Sequence, residues 1–120
     1  MTSQGSPYAR FQRALANGLR TGRPALAWAA ATELDRVDLQ DALVLVLLVV
    51  DEPRFARAAA RWVGRLCDEI SSITIAQVQL VAVALAGLPD RVAAIALASV
   101  CAELGLDRAA AAARAAYGER

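Results

Sequence analysis

Nine consecutive apolar residues, 42–50, are fenced by acids: Asp38 and Asp41 precede them, and Asp51, Glu52 and Pro53 follow. A segment with no polar face has to be covered on every side. It is far too short to cross a bilayer. The chain is therefore expected to build itself around one buried helix and to wrap other helices over it. That constrains the architecture and leaves the activity open.

The 120 residues suggest one domain with one core, residues 7–120, behind a disordered tail at 1–6. Apolar residues make up 58% of the chain but aromatics only 5%. The apolar mass is therefore Ala, Leu and Val, which favours closely packed helices. A net charge of +1 supplies no global field for nucleic acid or an anionic membrane. All 13 basic residues are Arg and none is Lys, which reads first as a coding bias towards G and C. His is absent, so the commonest general acid–base residue and the commonest metal ligand are both missing. Cys67 and Cys101 lack any C-x-x-C context and read as small hydrophobes on apolar helix faces. The first six residues carry no apolar core of a secretory signal, so the expected compartment is the reducing cytoplasm.

Helix signals recur along the whole chain. Phe11, Leu15 and Leu19 repeat at helical spacing within 8–19. Gly22 and Pro24 then punctuate the entry to a second, Ala-rich helix at 24–34. Asp38 is a good N-cap for a third helix at 39–50, with Asp41 in its first turn. Pro53 opens a fourth at 54–70. Here Phe55, Ala59, Trp62, Leu66 and Ile70 form one stripe, and Arg54, Arg57, Arg61 and Arg65 form another. Thr74 and Gln77 form a capping box for a fifth helix that runs to residue 86, with Gly87 in the left-handed position after it. A sixth helix occupies 90–104 and ends at Gly105. Asp107 caps a last Ala-rich helix to residue 117.

The third and fifth helices look alike. Each opens with a capped polar turn, becomes wholly apolar and ends just before a proline. Placing Leu39 on Ile75 places Pro53 on Pro89, a shift of 36 residues. A helix-pair unit of that length, stacked on its neighbour, is the signature of an α-solenoid. Over residues 8–117 the pattern resembles HEAT-like or TPR-like repeat proteins, without the TPR family's Trp, Gly, Tyr and Pro positions. The chain also resembles short Ala- and Arg-rich bacterial helical proteins, and no activity transfers from that likeness. A compact bundle of six or seven helices is the alternative.

The Arg stripe of the fourth helix is the leading candidate site: guanidinium forks suit carboxylates and phosphates. The first helix carries a second set, Arg10, Arg13 and Arg20, and residues 1–30 hold four Arg and no acid. Were the two helices on one side of the molecule, the sets would merge into one basic surface. Glu33, Asp35, Asp38 and Asp41 could be mistaken for a metal or catalytic cluster, but capping and loop polarity account for them. Residues 74–98 faintly resemble the helix-turn-helix of LuxR-type regulators. Ser99 to Leu104 then offers no polar recognition helix to read base edges. The uncharged stretch 70–89 is long enough for a membrane span, yet Ser71, Ser72, Thr74, Gln77 and Gln79 make it a poor one. No nucleophile–base set, P-loop or Rossmann glycine pattern is present.

The expectation is an all-α protein of six or seven short antiparallel helices, as solenoid-like hairpins or a compact bundle. The third and fifth helices are buried, with Leu43, Leu47, Val50, Phe55, Trp62, Leu66, Leu80, Val83 and Leu97 in the core. The function expected is a non-catalytic protein-interaction module, an adaptor or regulatory subunit, with no cofactor, metal or membrane. Its partner would present an acidic surface or peptide to Arg54, Arg57, Arg61, Arg65, Arg10, Arg13 and Arg20. Nucleic-acid binding through the same Arg residues is one alternative. A small apolar ligand held between helices is another. A homo-oligomer is also open, through the Ala109 to Ala113 side of the last helix.

Overall fold

Four of the helices start where a side chain accepts a hydrogen bond from one of their first N–H groups. The computed structural model describes residues 6–118 and places seven α-helices among them. They are α1 (Pro7–Thr21), α2 (Ala25–Ala31), α3 (Leu39–Leu47), α4 (Phe55–Glu69), α5 (Ile75–Gly87), α6 (Arg91–Glu103) and α7 (Asp107–Ala113), followed by a wider π-type turn, Arg114–Gly118. No strand occurs among the described residues. Ser6, Asp38, Thr74 and Asp90 accept hydrogen bonds from backbone N–H groups of α1, α3, α5 and α6. Thr74 and Gln77 form the full reciprocal capping box. Gly22 and Gly105 take positive φ after α1 and α6, where a side chain would be strained.

Several boundaries differ from the sequence expectation. Residues 1–5 of the expected tail lie outside the described residues, and Ser6 is the cap of α1. The third helix stops at Leu47 rather than Val50, because the chain tightens into successive turns over 48–52. The second stops at Ala31, three residues before Leu34. Asp107 is the first residue of α7 and does not cap it with its side chain. Gly87 is the last helical residue of α5, not a left-handed one. A Cβ there would lie 2.9 Å from the Ala93 Cβ, so this glycine serves the close approach of α5 to α6. Gly18 lies inside α1. There a Cβ would meet the Arg23 carbonyl and a Leu48 methyl, each at 3.1 Å.

Helix α3 is the centre of the molecule. Seven of its nine residues are buried, and α1, α4 and α7 pack against it. Its carbonyls hold the covering elements in place. The indole of Trp62 on α4 donates to Leu39 O at 2.8 Å, and that of Trp28 on α2 donates to Leu45 O at 3.1 Å. The Tyr117 hydroxyl in the C-terminal turn donates to Leu47 O at 2.7 Å. The last carbonyls of a helix have no partner within it: the Trp28 indole meets Leu45 O, and Tyr117 shares Leu47 O with the Val50 N–H of the following turn. A chain poor in aromatics thus spends three of them on one helix.

The expected burial of α5 is overturned. Only Val81, Ala84 and Leu85 of its 13 residues are buried. Leu80 and Val83, expected in the core, are exposed at 42% and 70%. Val50 and Phe55 are half-buried at its edge. The missing core comes from α6 and α7, which bury Leu97, Val100 and Cys101 and the alanines 109, 110, 112 and 113. The Ala109 to Ala113 side, expected as a self-association surface, is therefore spent inside the molecule. Alanine lets α7 approach α6 and return to α3, and a helix so placed covers the core that α5 was assigned.

Polar bonds fix that return. Arg108 at the start of α7 reaches Asp41 Oδ1 at 3.0 Å and Asp38 Oδ2 at 2.9 Å. Gln12 of α1 donates to Asp41 Oδ2 at 2.9 Å, and the Ala109 N–H donates to Gln40 Oε1 at 3.0 Å. The radius of gyration, 14.0 Å, matches the ~14 Å of a compact domain of this length.

Candidate functional site

The apolar stripe of α4 determines where its arginines point. Ala59, Trp62 and Leu66 are buried against the core, so side chains about a quarter-turn away lie along the edge that α4 shares with α2. Arg61 and Arg65 line a cleft of about 330 Å³ between α2, α3 and α4. Its walls include Trp28, Val37, Leu45, Val46 and Trp62. This is an apolar trough with two guanidinium groups at its border.

The four arginines of the stripe are not equivalent. Arg54 pairs with Glu52 at 2.8 Å, and its guanidinium lies 4.7 Å from the centre of the Trp28 ring. Arg65 donates from Nε to Glu69 at 2.7 Å, one turn along the same helix. Glu69 also accepts from Arg36 at 2.9 Å, so one carboxylate faces two guanidiniums. The Arg65 Nη2 is shielded from solvent and meets no acceptor. An unmet donor in that position is costly. Arg57 and Arg61 are exposed and enter no ion pair among the described residues. They are the two guanidiniums of the stripe that fold contacts do not engage.

The first-helix set lies elsewhere. Arg13 and Arg20 line a shallow groove with Ala14, Ala16 and Asn17, all on α1, and Arg20 donates to the Asn17 side chain. Arg10 pairs with Glu33 at 2.7 Å. No α1 residue lines the α4 cleft, and no α4 residue lines this groove. Arg13 and Arg20 are thus placed in a depression separate from that of Arg61 and Arg65.

The acids suspected of forming a cluster are spread over separate jobs. Glu33 holds Arg10, and Asp38 caps α3 and holds Arg108. Asp41 is 4% exposed and receives Gln12 and Arg108. Burial, with the charge of Asp38 beside it, raises the Asp41 pKa above its ordinary value against the pull of these two donors. For Asp38 burial also acts upward, but the Asp41 N–H and Arg108 outweigh it, and its pKa falls. No group of three or more His, Cys, Asp or Glu side chains is placed to hold a metal ion among the described residues.

The cysteines divide. Cys101 is fully buried in α6, and burial pushes its thiol up to about 11. Cys67 is exposed on α4, contrary to the expectation that both lie in apolar cover. Helices α5 and α6, which include the 74–98 segment, form an antiparallel hairpin, with Gly87 against Ala93 at one end and Gln77 donating to Glu103 at 3.4 Å at the other. No helix among the described residues is long and apolar enough to cross a membrane.

Sequence reasoning found the α4 arginines from their spacing. It missed the cleft beside them, because Trp28 and Val37 join Trp62 there from elements distant along the chain. It also missed the Arg108 contacts, which span 67 and 70 residues and leave no local pattern. Comparison with protein-family models, curated proteins and solved structures finds no match to this chain.

Proposed function

We propose that this chain is a non-catalytic interaction module, an adaptor or regulatory subunit, that docks an acidic segment of a partner protein on the α4 face. The observation that carries this reading is the pairing of two unengaged, exposed guanidiniums, Arg57 and Arg61, with the apolar cleft that Arg61 and Arg65 border. A carboxylate-bearing peptide would place acids on the Arg forks and an apolar side chain between Trp28 and Trp62. Charge-assisted bonds then supply orientation and the cleft supplies desolvated contact. The helices behind the cleft are tied together by indole hydrogen bonds, so the surface is preformed and little ordering cost is incurred on binding. In the same reading, α3–α4 and α5–α6 are two helix-pair units of a repeat, closed by α7.

The test uses the two arginines that the fold does not need. Full-length wild type and an Arg57→Glu, Arg61→Glu variant are compared as bait in a nuclease-treated pull-down read by mass spectrometry. The expected result is a protein enriched by wild type and lost with the variant, while both melt at the same temperature. Equal capture by both refutes docking on this face. Salt separates the nucleic-acid alternative: binding dominated by phosphate contacts weakens steeply with ionic strength and is indifferent to partner sequence.

A small-ligand reading is favoured by the size of the same cleft, which lies near the lower end of the ~300–1,000 Å³ of small-molecule sites. An apolar carboxylic acid that raises the melting temperature of wild type, but not of Arg61→Glu, would select that reading over a peptide.

A further inference from the structure

The outer face of α5 carries no charge. Ile75, Gln79, Val83 and Ala86 follow one another at helical spacing along the outside of α5, and all four are exposed. Ile75 is 79% exposed and Val83 is 70%. On the adjoining α6, Val92, Ile95 and Ser99 continue the surface, with Val92 at 73%. On the other flank, Phe55, Ala60 and Val63 of α4 with Ala82 and Ala86 of α5 line an apolar groove of about 420 Å³. A ridge and a groove therefore lie side by side on one face. Exposed apolar patches of this extent mark contact sites.

We propose that this face is the surface through which two copies of the chain associate about a two-fold axis. Two observations select a second copy as the occupant. First, a two-fold contact sets a surface against its own image, so like charges near the axis would repel. Helix α5 carries no charge at all. Second, the only charges of α6 are Arg91 and Glu103, opposite in sign and at its two ends. A two-fold that reverses the helix direction sets each Arg91 towards the partner copy's Glu103. A membrane surface would favour several cations along the face, and Arg91 is the single cation of α5 and α6. An acidic partner is drawn to the arginine face instead. The inference is independent of the docking reading, since it is argued from residues of α5 and α6 and not from the α4 arginines.

The test is sedimentation equilibrium of the full chain over a wide concentration range. Wild type is expected to reach twice the 12.6 kDa mass of one chain. Val83→Glu is expected to lose the dimer while keeping its helical signal, because the side chain is already solvated in the single chain. Arg91→Glu is expected to weaken association, and the charge exchange Arg91→Glu, Glu103→Arg to restore it. A wild type that stays at one chain mass at the highest attainable concentration overturns the proposal. So does a dimer that Val83→Glu leaves intact, or a charge exchange that remains as weak as Arg91→Glu alone. Binding of single chains to phosphatidylglycerol vesicles would assign the face to lipid and overturn it equally.

Discussion

Removing the Arg108 guanidinium should destabilise the fold in a way that depends on pH. Arg108 supplies two bonds: one to Asp38, where both partners are about half exposed, and one to Asp41, whose carboxylate is almost wholly buried. The exposed half contributes at most ~1 kcal/mol. The bond to Asp41 is charge-assisted and its loss leaves a buried carboxylate on Gln12 alone, which costs ~1.5–3 kcal/mol. The full penalty for breaking a buried pair does not apply, because Arg108 is 56% exposed and water partly replaces it. Arg108→Ala should therefore cost about 2 kcal/mol at neutral pH, a fall in Tm of about 8 °C for a chain of this size. The sign with pH follows from the acids. In the wild type the folded Asp41 pKa is already raised, by burial first and then by the charge of Asp38. Without Arg108 it rises further, and Asp38 loses the donor that held it down. A raised folded pKa gives stability that is present below the unfolded value of 3.8 and is lost as pH rises through the folded value. The deficit of the variant should thus be small in acid and full at neutral pH. Urea melts of wild type and Arg108→Ala at both conditions measure it, and Asp41→Asn in the variant background should recover part of the loss. An equal deficit in acid and at neutral pH would show that Arg108 acts by packing and would refute the electrostatic argument.

Two further substitution and labelling results are expected. Gly87→Ala drives a methyl to within 2.9 Å of the Ala93 methyl, an overpacking cost of ~1–3 kcal/mol that the better helix propensity of Ala only partly offsets. Gly87→Asn should be worse still by urea midpoint, whereas a left-handed glycine would tolerate Asn better than Ala. A maleimide should label Cys67 rapidly in the folded protein and Cys101 only on unfolding, since Cys101 is fully buried with its pKa raised to about 11; mass spectrometry of two labels under native conditions would contradict that burial.

The helices of this protein are legible one at a time because their signals are local. Asp38, Thr74 and Asp90 cap the helices they precede, and Gly22 and Gly105 end α1 and α6. The burial of α3 is also legible, since nine apolar residues in a row leave no alternative. The same reasoning failed for α5. Its residues are uncharged on all sides, so periodicity does not distinguish the face that packs from the face that does not. The α4 arginines could be seen as a stripe, but not the division between Arg54 and Arg65, which fold contacts hold, and Arg57 and Arg61, which they do not. That division depends on Glu52, Trp28 and Glu69 being in reach.

Local propensity and patterning thus determined that the chain is all-α, where most helices begin, and that α3 lies inside. The tertiary structure decided which helices cover it. It let α6 and α7 supply the burial expected of α5, brought Arg108 back to Asp41 across 67 residues, and set Trp28 beside Trp62 at one cleft. Each of these rests on contacts between segments distant in sequence. Hydrophobic packing is non-directional, so composition alone cannot say which of several apolar helices will reach the core and which will be left facing outward.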